Sequence, residues 1–137
     1  MASQTLYQIP PTTTAAINKL RLGSSRSSTP QSQVYSINKS SLEVLQTPAE
    51  TFTNIEELVE ELPSNTPRFI LLSYPLVTKD GRRSAPFVMI YYLPETATQE
   101  ARMLYAGAVE IVRAHAGVSK LLEISDEEEF ENIQDLF

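Results

Sequence analysis

His115 is the only imidazole in the chain, and cysteine is absent. Of the nucleophilic sites, composition leaves open a Ser–His–Asp arrangement, and no nucleophile motif surrounds any of the serines. The four glycines are scattered, so they form no loop that could cradle a phosphate. Asp126, Glu127, Glu128 and Glu129 place four carboxylates in a row. Consecutive residues on a helix point in different directions, so a solvated charged face is expected there, not a metal site. His115 falls on an apolar helical stripe near the helix end, where a satisfied core or capping residue is expected in preference to a general base. These residues point to no enzyme, no cofactor and no metal.

The remaining chemistry is recognition. In EARMLYAGAVEIVR, residues 100–113, a helix turning about 100° per residue puts Ala101, Leu104, Tyr105, Ala108, Ile111, Val112 and His115 on one stripe. Met103 stands roughly 140° from the centre of that stripe by the same rule. Arg102, Ala106, Glu110 and Arg113 also fall off it. A single exposed apolar residue is common and needs no explanation. The alternative is a partner surface: a thioether adapts to irregular pockets, Ala106 and Gly107 permit close approach, and arginine is favoured at interfaces. Periodicity leaves both readings open. A second basic group, Lys79, Arg82 and Arg83, flanks Asp80-Gly81 and reads either as a solvated, edge-protecting turn or as a binding tip.

These side chains need elements to hold them. Residues 13–22 predict a short helix with Ala16, Ile17 and Leu20 on one face, Lys19 and Arg21 off it, and Gly23 as its stop. A serine-rich loop follows, with Ser24 three residues after Arg21 in a weak kinase-site pattern. Residues 33–39 and 41–47 read as paired strands. Residues 54–63 read as a helix capped by Asn54 and ended by Pro63, with Ile55, Leu58, Val59 and Leu62 inward. The apolar run 67–77 reads as a central strand covered on both faces, with Pro75 as a bulge or the end of pairing. Asp80-Gly81 predicts a tight hairpin with both turn residues at positive φ, leading into a strand over 85–93. One long helix over 96–117, ended by Gly117, then leads to a strand over 118–124, a crossover that makes the last two strands parallel. Residues 125–137 predict an acidic helix capped by Ser125, with Phe130, Ile133 and Leu136 facing the body. The expectation is one domain over 1–137 with its first few residues flexible.

The net charge of −6 is local. Six acids and no bases lie between Ser125 and Phe137, and the rest of the chain balances eleven acids against eleven bases. Bulk nucleic-acid binding needs a basic footprint that is missing here. No apolar run approaches the ~18–20 residues that span a bilayer. The first residues lack the charged-then-apolar pattern of a secretory signal. With no cysteine, these features point to the cytosol.

Three stretches together carry a resemblance: RMLYAGAV (102–109), ELPSNTPRFILLSY (61–74) and DGRRSAP (80–86). In order and spacing the chain resembles the actin-depolymerising-factor homology family, and within it the glia-maturation-factor branch. The resemblance implies an α/β fold: a central mixed sheet of about five strands flanked by helices on both faces. It implies a monomeric, non-enzymatic protein that binds the actin-related protein 2/3 complex, inhibits branched nucleation and promotes debranching, in the cytoplasm at cortical actin, with the nucleus as a second location. The first implied patch, for a groove of actin-related protein 2, is Lys19, Arg21, Arg102, Met103, Ala106 and Arg113. The second, for debranching, is Lys79, Arg82 and Arg83. Cofilins, the sister branch, bind and sever actin filaments and carry two basic residues before the helix methionine. Here Arg102 keeps one, but Glu100 replaces the other, and like charges across an interface are costly. Weak or absent binding to actin is therefore expected. A cofilin-like actin-severing protein is the alternative. The chain departs from the branch in being less basic after Lys19 and more acidic at its end.

Overall fold

The computed structural model describes residues 6–24, 29–47, 50–77 and 79–136. The first five residues, including Ser3, the 25–28 part of the serine loop, and the last residue lie outside them.

The chain opens with helix α1 (Pro11–Ser24), strand β1 (Gln31–Ile37), strand β2 (Val44–Gln46) and helix α2 (Ile55–Glu60). Strand β3 (Arg68–Ser73), a ribbon of β4 (Leu76–Val77) and β5 (Arg83–Ser84), and strand β6 (Phe87–Tyr92) follow. Helices α3 (Gln99–Ala106) and α4 (Val109–Ala116), strand β7 (Lys120–Ile124) and a 3-10 helix (Glu127–Leu136) complete it. The main sheet has the order β2-β1-β3-β6-β7. Its first three junctions are antiparallel and β6–β7 is parallel, as the crossover requires.

Side chains alternate across a strand, and both faces of this sheet are covered. Phe69 and Leu71 of β3 join Tyr35, Met89 and Tyr91 in a core with Ile17 and Leu20 of α1 and Tyr105, Ala108 and Val112 of the later helices. Ile70 and Leu72 join Val34, Val88, Ile90 and Tyr92 in a second core with Leu58 of α2 and Phe130 and Ile133 of the 3-10 helix. Two-sided burial is why β3 reads as an unbroken apolar run instead of an alternating one. Each fully buried leucine contributes about 1.5–3 kcal/mol, so these two cores hold the helices in place.

Several local expectations change. The run 67–77 divides, because Pro75 ends the ladder and β4 leaves the main sheet to pair with β5. Gly81 takes positive φ, 83°, but Asp80 does not. The turn between Val77 and Arg83 is longer than two residues, so the geometry that demands positive φ twice does not apply. The helix expected over 96–117 is two helices, broken at Gly107–Ala108. Ala116 is buried and His115 is exposed, where the unbroken stripe put His115 inside: the buried Tyr105, Val112 and Ala116 keep helical spacing, so the inner face is centred closer to Ala116 than to His115. α1 runs through Gly23 without stopping. The last element is a 3-10 helix capped by Asp126, whose Oδ1 accepts the Glu128 N–H at 3.0 Å. Phe130 and Ile133 are buried as expected; the Leu136 side chain lies outside the described residues.

Candidate partner-binding surface

The α3–α4 surface begins at a strong cap. Thr98 Oγ1 accepts the Ala101 N–H at 3.1 Å, and Glu100 in the first turn suits the positive end of the helix dipole. Met103 is 66% exposed, so the periodicity placed it correctly. Ala106 and Arg113 are exposed as well. Arg113 lies 3.7 Å from Glu110, a loose surface pair worth little.

Arg102 behaves differently. Its side chain folds back over residues 94–97, with Nε donating to Ala97 O at 3.1 Å and Nη2 donating to Glu95 O at 2.7 Å and Pro94 O at 3.3 Å. The guanidinium therefore braces the turn that launches α3. Glu100 is ion-paired with Lys39 of the β1–β2 turn, and both side chains remain largely exposed. Lys39 is 61 positions away in the chain, and no local pattern could have paired it with the helix.

α1 docks beside α4. Thr14 Oγ1 lies 2.9 Å from His115 Nε2, and Arg21 Nη2 donates to Ala116 O at 2.8 Å. A cation on the last carbonyls of a helix satisfies acceptors that have no partner within the helix. The Lys19 side chain is exposed. α3 starts at the sheet end where β6 finishes, and α4 finishes where β7 begins, beside Val88. The first implied patch is thus strung along the whole α3–α4 axis. The β4–β5 ribbon lies at the α4 end of the sheet, because it joins Ser73 to Phe87, which pair with each other. Lys79, Arg82 and Arg83 are all exposed there, with Arg82 3.2 Å from Asp80.

Two tyrosines support this surface. Tyr105 is buried, and its hydroxyl accepts the Ile37 N–H at 3.0 Å and Arg68 Nη1 at 3.3 Å. Its ring packs tilted on Phe69, centroids 5.4 Å apart. Tyr7 donates its hydroxyl to Leu104 O at 2.8 Å, and its ring lies over Gly107. The glycine leaves room for Tyr7 of the same chain, where the sequence suggested room for a partner. The Tyr91 hydroxyl is buried in the same layer, and burial, followed by the charge of Glu123, pushes its pKa up, with Arg102 opposing.

A groove of about 800 Å³ lies elsewhere, between α2 and the 3-10 helix, lined by Ile55, Val59, Tyr74, Phe130 and glutamates. It includes none of the implied binding residues. Among the described residues no three His, Asp or Glu side chains converge to hold a metal ion, and no helix is long and apolar enough to cross a membrane.

The mixed five-stranded sheet with helices on both faces is the architecture of the actin-depolymerising-factor proteins. A family profile described as cofilin/tropomyosin-type actin-binding protein matches residues 7–135. The chain belongs to that family, and within it to the glia maturation factors. It is 51% identical over 67 residues to Protein AIM7 of Saccharomyces cerevisiae, covering 48% of this chain and 45% of that protein. It is 38% identical over 74 residues to glia maturation factor beta of Homo sapiens, covering 54% and 52%. The chain thus spans about half the length of these two relatives. Over full length it is similar to the solved structure of glia maturation factor from Caenorhabditis elegans, with a TM-score of 0.80, 35% identity, and 100% and 99% of the two chains covered. The cofilin of Streptomyces griseoflavus shares the fold at a TM-score of 0.74 and 19% identity, covering 94% of this chain and 95% of its own. The matching family is one of actin-binding proteins.

Proposed function

We propose that this protein binds the actin-related protein 2/3 complex, inhibits branched nucleation and promotes debranching, acting in the cytoplasm at cortical actin. In this reading Lys19, Arg21, Met103, Ala106 and Arg113 meet actin-related protein 2, with Arg102 at the edge of the contact. Lys79, Arg82 and Arg83 act in debranching. The protein works as a monomer, without cofactor or metal, and needs neither nucleic acid nor a membrane.

One observation carries the reading: Met103 is held out on a capped helix at 66% exposure, three residues after a carboxylate, Glu100. A large adaptable apolar side chain on a rigid helix suits a partner pocket. The carboxylate stands where the cofilin branch has a cation, which disfavours the same contact with actin. The test is binding of the purified protein to the complex without actin. Direct binding is expected, with little co-sedimentation on filaments alone. Strong filament severing without the complex would replace this reading by a second one, a cofilin-like actin depolymeriser. The Lys39–Glu100 pair favours that second reading, since it offsets the negative charge on which the distinction rests.

A further inference from the structure

We infer that Tyr7 is a positioning residue for the partner-binding surface: its hydroxyl sets the break between α3 and α4. In an unbroken helix the Leu104 carbonyl would accept the Ala108 N–H. Here the Ala108 N–H goes to Tyr105 O at 3.1 Å, and Leu104 O accepts the Tyr7 hydroxyl at 2.8 Å instead. A side chain inserted into the ladder is a recognised cause of a helix break. No proline lies within α3 or α4 to supply another.

The fit is close. A Cβ on Gly107 would stand 2.4 Å from the Tyr7 hydroxyl oxygen and 3.3 Å from Cζ. Gly107 itself has helical dihedrals, φ −67° and ψ −18°, so its backbone conformation does not require glycine. The requirement comes from the ring above it. Tyr7 in turn is held by its neighbour. The Gln8 N–H donates to Leu42 O at 2.8 Å, and the Val44 N–H donates to Gln8 O at 2.9 Å. This clips the segment onto the edge of β2.

Met103 and Ala106 lie before the break, and Arg113 lies after it. Their relative direction depends on the angle there, so a hydroxyl that contacts no partner can govern how the two halves meet one. This inference rests on the function proposed above.

The test compares wild type, Tyr7→Phe and Gly107→Ala by residual dipolar couplings across residues 99–116 and by affinity for the actin-related protein 2/3 complex. Tyr7→Phe keeps the ring and removes the donor. It is expected to rejoin the ladder, change the α3–α4 angle and weaken binding roughly three- to tenfold, the range one hydrogen bond's net value sets. Gly107→Ala improves intrinsic helix propensity, yet is expected to displace Tyr7 and weaken binding similarly. The double variant should be no worse than either single, since both act through one contact. A control, Ile55→Val on the opposite face, should leave affinity unchanged at a comparable loss of Tm. Unaltered couplings in Tyr7→Phe, wild-type affinity in both variants, or equal weakening by the control would each overturn the inference. Failure of the wild type to bind the complex would instead overturn the proposed function.

Discussion

The α3–α4 surface and the β4–β5 ribbon both present cations, but the cations do different jobs. On the helical surface two of the arginines are tied to backbone carbonyls: Arg102 to the 94–97 turn and Arg21 to the end of α4. On the ribbon the cations are exposed, and Arg82 reaches a carboxylate, Asp80, within its own turn. Arginine on a helix flank can hold the scaffold and face a partner at once. On a two-residue ribbon there is little scaffold to hold. Charge removal should therefore mix folding and binding effects in the first region and separate them in the second.

The largest expected effect follows from Arg102. Arg102→Ala removes three hydrogen bonds to carbonyls and should lower stability by about 1–3 kcal/mol, a shift of several degrees in Tm. Met103→Ala should change stability by less than about 0.5 kcal/mol while weakening binding to the complex by about tenfold or more, as an interface anchor does. Thermal melts beside binding curves test the contrast. Equal melts for the two variants would erase the distinction between brace and contact. Periodicity alone treats both residues as removable without thermal cost, and the bonds to 94–97 are what change that expectation.

Next comes charge reversal on the ribbon. Arg82→Glu with Arg83→Glu should leave the melting temperature nearly unchanged and impair debranching more than binding. Both activities can be read in one filament-branch assay with an affinity measurement beside it. A parallel fall in both would merge the two patches into one. The smallest effect belongs to Lys39→Ala. It removes an exposed pair worth roughly 0.2–1 kcal/mol and unmasks Glu100. Residual co-sedimentation with actin filaments should fall further. A rise would show that Lys39, not Glu100, sets the charge the filament meets.

Much of the scaffold was legible. The alternation and apolar runs located the main strands, the 3.6-residue period located the stripe with Tyr105, Ala108 and Val112, and the cap Asn54 began its helix where a side-chain oxygen could satisfy a free N–H group. The misses have separate causes. The Asp80-Gly81 turn was read as a two-residue hairpin because the flanking runs look continuous, yet Pro75 had already taken β4 out of the sheet. His115 was read as inward because the stripe was centred on Leu104 and Ile111, which are only half-buried, instead of on Tyr105, Val112 and Ala116.

The sequence by itself determined which residues can be buried and which cannot, because hydrophobic periodicity is a local property of neighbouring side chains. It set two apolar faces for β3, an outward Met103 and a chain rich enough in apolar residues to cover both sides of a sheet. Only the tertiary structure decided where the helix breaks, which arginines are braces, and that Glu100 meets Lys39. Each of those outcomes depends on a hydrogen bond or ion pair between a side chain and a group brought near by folding, such as Tyr7 at Leu104, 97 residues apart in the chain. No period or motif encodes a contact of that kind.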